Sequence, residues 1–218
     1  MRLVADGVFH LRGFPPNAIN VYLVEDVLID SGTRMARRRI LRQIEGRGVS
    51  AHGLTHAHPD HFGSSHRICQ QLGLPLWCGA EDVRIVETGE VTRAAHQPSW
   101  MERMPSPEPH SVDRLLKEGD EVAGFRVLDV PGHSPGHIAY WRESDRTLIV
   151  GDVLFNLNPL TGVPGLREPP EMLTYDVALN REAIRKVALL EPATVLFGHG
   201  PPLRDPKKIA DFAGSLPS

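Results

Sequence analysis

Apolar positions in this chain come in short blocks, and the period of each block predicts its element. Residues 4–11, 19–24 and 27–30 are β-branched or aromatic runs, interrupted by Gly13, Pro15, Pro16 and the Glu25-Asp26 pair, and they predict three strands. Asp30-Ser31-Gly32-Thr33 ends the third and offers a cap to a helix over 35–45. Ile40, Leu41 and Ile44 share one face of that helix, while Arg37, Arg38, Arg39 and Arg42 fall on the other, a solvated face rather than a ligand site. A strand over 49–55 follows. Then Phe62, Ile68 and Leu72 mark a helix that Gly73 closes, and 74–78 is again a strand. Strand–helix–strand alternation predicts a layered α/β fold.

Past a short helix over 81–87 the regularity fades as far as His110. Trp100, Met101 and Met104 stand there in a poor context for a core, which suggests either a lid over a site or packing on the domain surface. The strand-rich pattern returns at 111–116 and 125–130, around the turn Lys117-Glu118-Gly119-Asp120. Next comes the glycine-rich loop Pro131-Gly132-His133-Ser134-Pro135-Gly136-His137, then a hairpin over 138–142 and 147–150 that runs into Gly151-Asp152. An irregular segment over 156–173 precedes a helix over 177–190 with Ile184, Val187 and Ala188 as its buried stripe. A strand over 194–197 ends in Gly198-His199-Gly200.

Composition narrows the class. The chain has 218 residues, 41% of them hydrophobic, and is expected to form a single domain over 1–218. A net charge of −3 carries no nucleic-acid or membrane electrostatics. No signal-peptide pattern and no run of ~18 apolar residues is present. Cys69 and Cys78 have no ligand spacing and are expected to pack as free thiols, so a cytoplasmic location is the expectation. The oligomeric state stays open.

The chemistry concentrates in Thr55-His56-Ala57-His58-Pro59-Asp60-His61, with three histidines and an aspartate within six residues. Imidazole and carboxylate donors suit zinc, iron, manganese or cobalt. His56 and His58 point the same way on an extended strand end, and Asp60 and His61 follow round a turn that Pro59 helps to set. The four groups are too crowded for one tetrahedral ion, which points to two adjacent metals. Asp152 alone would pass for a turn residue and His199 alone for a buried histidine; the ordered set carries the reading.

With His133, Asp152 and His199 following in order, these residues resemble the metallo-β-lactamase-fold hydrolases over nearly the whole chain. The resemblance implies a four-layer αβ/βα sandwich with the metals at one edge, between two sheets. It implies that His56, His58 and His133 hold one ion, that Asp60, His61 and His199 hold the other, and that Asp152 bridges them. Two divalent ions are implied, zinc first, with iron or manganese as alternatives. Such a pair lowers the pKa of a shared water from about 15.7 to near 7 and polarises the substrate carbonyl. Asp60 and Asp152 are then the catalytic carboxylates, Asp60 orienting the water and passing a proton to the leaving group. His137 resembles a supporting histidine of the family's loop. His10, His52, His66, His96 and His110 have no ligand context and are expected at the surface or in structural roles.

Departures narrow the branch. Zinc β-lactamases lack either the His61 equivalent or the bridging Asp152. Persulfide dioxygenases generally lack the 131–137 pattern as it stands. Flavodiiron proteins usually have glutamate where His58 stands, and RNA-processing members insert a large domain. The 131–137 loop most resembles the glyoxalase II-like and lactonase-like groups. Glyoxalase II carries a C-terminal helical domain, whereas nineteen residues follow His199 here. Lactonases place a tyrosine where Phe155 stands, and Tyr175 is a candidate replacement. The expected function is dinuclear hydrolysis of a small-molecule thioester or lactone, with Trp100, Met101, Phe155 and Tyr175 as candidate substrate-binding residues. The alternatives are a phosphodiesterase on the same centre, or an iron-containing redox or metal-binding protein.

Overall fold

A computed structural model describes residues 1–90 and 106–217. The first half builds one sheet. β1 (Arg2–Ala5), β2 (Val8–His10), β3 (Tyr22–Val24) and β4 (Val27–Ile29) form an antiparallel meander. After α1 (Arg37–Ile44), the elements β5 (Ala51–Gly53), α2 (Pro59–Phe62), α3 (Ser65–Leu72), β6 (Leu76–Gly79), α4 (Val83–Thr88) and β7 (Arg114–Leu116) extend it with strands parallel to β4. Among the described residues this sheet has seven strands, ordered β1 to β7.

The second half comprises β8 (Glu121–Val122), β9 (Phe125–Asp129), β10 (Ile138–Arg142), β11 (Thr147–Gly151), β12 (Phe155–Leu157), β13 (Pro164–Arg167), α5 (Val177–Ala188), β14 (Thr194–Phe197) and α6 (Pro206–Ser215). Five of its strands form a sheet ordered β14-β11-β10-β9-β8, and β12 pairs with β13 apart from it.

Strand periodicity sorts the core into three apolar layers. Successive side chains face opposite ways, so Tyr22 and Val24 of β3 and Ile138 and Tyr140 of β10 meet between the sheets. Leu23 of β3 faces the other way, toward Ile40, Ile44 and Ile68 of α1 and α3. Ala139 and Trp141 of β10 face Ile184 and Val187 of α5 and Ile209 of α6. Helix, sheet, sheet and helix thus stack as the expected αβ/βα sandwich. Both faces of each sheet are covered, which is why strands such as 147–150 read as near-continuous apolar runs rather than alternations.

Several boundaries differ from the sequence-based expectation. The first strand is two, because Asp6-Gly7 turns between β1 and β2. The helix past His61 is also two. The His61 carbonyl accepts from the Ser31 backbone N–H at 2.6 Å and the Ser31 hydroxyl at 3.0 Å, which breaks the ladder between α2 and α3. The irregular segment 156–173 contains most of the β12–β13 hairpin, whose Asn, Pro and Gly content hid it. Helix α6, opened by Pro206, went unanticipated. Asp30 does not cap α1, whose N-cap position is Ala36. Cys69 and Cys78 are buried free thiols, and burial pushes both up to about 12, as packing residues should be. Trp100, Met101 and Met104 lie outside the described residues.

The site edge is stitched across the two sheets. The buried Asn20 amide donates to the carbonyls of Phe197, at 2.9 Å, and Gly200, at 2.8 Å, and its oxygen accepts from His10 Nε2 at 2.8 Å. Tyr140, buried between the sheets, donates to the Leu54 carbonyl at 2.7 Å and holds the exit of β5. Asn20→Ala leaves the Gly200 carbonyl and the His10 donor unpaired, and should cost about 2–4 kcal/mol in urea unfolding of metal-free protein. A loss below about 0.5 kcal/mol would show that water replaces the amide.

Candidate metal centre

Strand direction decides where the polar residues gather. β9 and β11 are both antiparallel to β10, and β14 is parallel to β11, so all three end at one edge. Their next residues include His133, Asp152 and His199. In the other sheet β4 and β5 run parallel and deliver Asp30 and His56, with His58 in the same loop and Asp60 and His61 on α2. Ligand-bearing strand ends are normal in α/β layers.

These groups converge into three clusters of atoms within 4.8 Å of one another: His56, His58 and His133; His56, His61 and Asp152; and Asp60, His61 and His199. His58 Nδ1 lies 2.9 Å from His133 Nε2, and His61 Nε2 lies 3.4 Å from His199 Nε2. Two nitrogens at ~2.0–2.1 Å from a tetrahedral ion stand about 3.3 Å apart, so these separations match shared coordination. Asp152 Oδ2 is 3.8 Å from His56 Nε2, 3.5 Å from His133 Nε2, 3.3 Å from His61 Nε2 and 3.1 Å from His199 Nε2. It therefore touches both histidine groups. His199 Nε2 also lies 3.3 Å from Asp60 Oδ2. All seven residues singled out in the sequence are brought together.

Two atoms in this cluster are orphaned. His56 Nε2 and Asp152 Oδ1 are buried with no hydrogen-bond partner among the described residues. Buried polar atoms are normally satisfied, and here both belong to a set of nitrogen and oxygen donors that suits a divalent cation. Gly198 presses on Asp152: a Cβ there would run into the carboxylate and the His61 ring.

The ring nitrogens facing away from the cluster mostly have partners, which fixes which nitrogen points inward. His56 Nδ1 meets the Thr55 hydroxyl at 3.0 Å, His133 Nδ1 meets the Thr174 hydroxyl at 3.4 Å, and His199 Nδ1 donates to the Ala18 carbonyl. His61 Nδ1 donates to Asp30 Oδ2 at 2.9 Å. The same Asp30 carboxylate accepts from Thr55, through its N–H at 2.8 Å and its hydroxyl at 2.9 Å. His137, expected as a supporting residue, accepts the Asp152 N–H at Nε2 (3.0 Å) and stacks on His56 at 4.7 Å. Asp30 and a second buried carboxylate, Asp82, were not singled out in the sequence as site residues. Each was one acid near a turn, and Asp30's place at the end of a strand was the available signal.

Charge is balanced internally. Burial works against an ionised Asp152, but His199 and His61 outweigh it and hold the carboxyl well below its ordinary range. Burial likewise opposes charge on His199, yet Asp152 and Asp60 lift it to about 10. His61 is raised well above its ordinary value by Asp152, Asp60 and Asp30, against the same burial. His58 falls to about 3 through burial and the neighbouring His133, and burial first of all lowers His56 and His137 far below their ordinary values. The buried carboxylates thus favour the charged forms of His61 and His199.

The candidate substrate-binding residues fare differently. Phe155 is buried, its ring 4.4 Å from that of His199 and 6.3 Å from that of His133. Tyr175 is 49% exposed, while its N–H donates to the His133 carbonyl at 3.2 Å. Trp100 and Met101 fall outside the described residues. His52 is buried on Ser65 and the Leu28 carbonyl and has a structural role. A cavity of about 400 Å³ opens elsewhere and is lined by Arg34, Met35, Arg37, Arg38, Gly63, Arg67 and Glu108. It holds no metal-ligand set, and the orphaned donors mark the chemistry better than cavity size does.

Comparison with known proteins bears on this geometry. A family model described as Metallo-beta-lactamase superfamily matches residues 14–199. The Bacillus subtilis protein named probable metallo-hydrolase YflN is 28% identical, over 88% of this chain and 84% of its own length. Hydroxyacylglutathione hydrolase GloC of Haemophilus influenzae is 25% identical, over 67% of this chain and 66% of its own. The crystal structure of TTHA1623 in a di-iron-bound form has a TM-score of 0.68 at 31% identity, covering 89% of this chain and 93% of that one.

Asp30→Ala removes the acceptor for three donors, two of them on Thr55 and one on His61. It should destabilise the metal-free protein by about 3 kcal/mol or more in denaturant unfolding. Stability within about 1 kcal/mol of the parent would show that the Asp30 clasp contributes little.

Proposed function

The chain belongs to the metallo-beta-lactamase superfamily, and on that premise we propose a dinuclear hydrolase that cleaves a thioester or lactone of a small molecule. The observation that carries the dinuclear reading is the position of Asp152 Oδ2, within 3.8 Å of ring nitrogens from both histidine groups. His56, His58 and His133 would hold one divalent ion, Asp60, His61 and His199 the other, and Asp152 would span them. The donor set fits zinc, our first assignment; the di-iron form of TTHA1623 supports iron as the alternative. A bound pair supplies a Lewis acid for the carbonyl oxygen and a water acidified from a pKa of about 15.7 to near 7.

The chain's own groups account for the rest. Asp60 points its carboxylate at His199 and leaves about a third of its side chain, 36%, open to solvent. Its carboxylate can orient the attacking water, take up its proton and release it to the leaving group. Phe155 presents an apolar ring beside His199, shielding that flank from water without offering a hydroxyl. Tyr175, together with Trp100 and Met101, is proposed to complete the substrate-binding wall.

The carbonyl preference follows from charge. A phosphodiester keeps a fixed negative charge and calls for several cationic partners. The hairpin brings Arg167 opposite Phe155, and its Nε donates to the Gly165 carbonyl at 3.3 Å. Among the described residues of this hairpin, one arginine so engaged suits a neutral ester better. The name of GloC supports the thioester branch, since an acylated glutathione is a thioester. Two buried thiols without a disulfide support a cytoplasmic setting.

Metal analysis should return two ions per chain, roughly 3.5–4 Å apart in a crystal structure of the loaded protein. Asp152→Ala should lose at least one of them. A fully metallated structure with one ion and Asp60, His61 and His199 unengaged would sink the dinuclear assignment. On one metal preparation with a dialysed control, kcat/KM for thioesters or lactones should exceed that for bis-aryl phosphodiesters by about 100-fold or more, a gap of about 2.7 kcal/mol in barrier. Phosphodiester turnover faster than every carbonyl ester tested would overturn the substrate class.

A further inference from the structure

Asp82 is a buried carboxylate that the chemistry above does not use. It ends a 3-10 turn, Ala80–Asp82, directly after β6, and none of its surface reaches solvent. One oxygen, Oδ2, accepts from the Ala57 N–H at 2.9 Å and the Ser134 hydroxyl at 2.9 Å. The other, Oδ1, accepts from the Gly136 N–H at 2.8 Å. Ala57 lies between His56 and His58; Ser134 follows His133, and Gly136 precedes His137. A single side chain thus fastens the loop carrying two of the first group's histidines to the loop carrying the third.

Beside these side-chain bonds, the backbone of residues 79–82 lies tight against that of Gly136. A Cβ on Gly136 would run into the Asp82 N–H and side chain, and one on Gly79 would run into the Gly136 carbonyl. None of Asp82's hydrogen bonds reaches Asp60, His61 or His199; His61 rests instead on Asp30, and His199 on the Ala18 carbonyl. Ligand groups must sit within about 0.5 Å of their working geometry, so a clasp on one loop pair acts on one ion.

We propose that Asp82 is a positioning residue that sets the distance between His56/His58 and His133, and so controls affinity for the ion those three hold and not for its neighbour. This rests on the dinuclear assignment. Asp82 touches no metal itself; it acts through the Ala57, Ser134 and Gly136 contacts.

Cobalt(II) titration of metal-free protein tests this, read by its d–d absorption and by competition with a chelator. Asp82→Ala should weaken one of the two cobalt ions by about 10–100-fold and alter its ligand-field spectrum, leaving the other within about threefold of the parent. Ser134→Ala, which removes one contact of the three, should weaken the same ion by a smaller factor. Asp82→Asn keeps shape and one acceptor and should fall between the parent and Asp82→Ala. Unchanged binding of both ions, or equal weakening of both with a matching fall in the unfolding midpoint of metal-free protein, overturns the proposal. If Asp82→Ala does not fold, Ser134→Ala and Asp82→Asn decide by the same criterion. Uptake of a single cobalt by the parent would sink the dinuclear assignment on its own. The Asp82 variants then report on that ion: if His133→Ala abolishes its uptake, weakening by Asp82→Ala supports the positioning role and indifference overturns it, whereas weakening of an ion that His133→Ala leaves in place also overturns it.

Discussion

A carboxylate buried among imidazole nitrogens is the condition on which this structure turns. Asp152 exposes almost no surface and sits within 3.8 Å of four histidine rings. In a medium that screens poorly, such a group stands only beside positive charge. Asp152 accordingly raises the pKa of both His61 and His199, favouring their charged forms. Divalent cations would meet that requirement with more charge and without leaving His56 Nε2 and Asp152 Oδ1 unpaired. The need for cations is built into the burial pattern.

That crowding has to be held against its own repulsions, and the surrounding polar contacts do so in two halves. Asp30, with its backbone in the left-handed region at φ 60, turns its carboxylate under the β5 exit and ties Thr55 to His61. Asp82 ties the His56–His58 loop to the His133 loop. Three apolar layers give both clasps rigid mounts, because close-packed sheets resist the small displacements that would spread the ligands. Asn20 completes the frame by joining the segment before β3 to the end of β14.

The β12–β13 hairpin joins this frame beside the candidate metal centre. It leaves the second sheet directly after Asp152, and the Asn156 N–H donates to the His199 carbonyl at 2.8 Å, so Phe155 is placed by the same backbone that carries a candidate ligand. At the hairpin's far end Leu160 and Val163 are exposed. An apolar ring beside the candidate metal centre suits an acyl group, and the preference for carbonyl esters proposed above draws on that match.

What could be read from the sequence was local. Three histidines and an aspartate in one heptapeptide, and glycine-flanked His133, Asp152 and His199 at the ends of apolar runs, need no tertiary information to suggest metal chemistry. The alternation of Tyr22, Leu23 and Val24, or of Ile138, Ala139 and Tyr140, likewise assigns each side chain to a layer, because strand periodicity is a property of neighbouring residues. Asp30 and Asp82 were hidden. Acids at strand ends and turns are common, and the partners that give these two their roles lie 25 to 54 residues away. The β12–β13 hairpin was hidden by its Asn, Pro and Gly residues, and the half-exposed Tyr175 side chain depends on how the approach to α5 lies against the His133 loop. Ligand identity is written in the side chains themselves. Ligand spacing is set by strand register within two sheets and by hydrogen bonds between loops far apart in the chain, and so tertiary structure alone decided it.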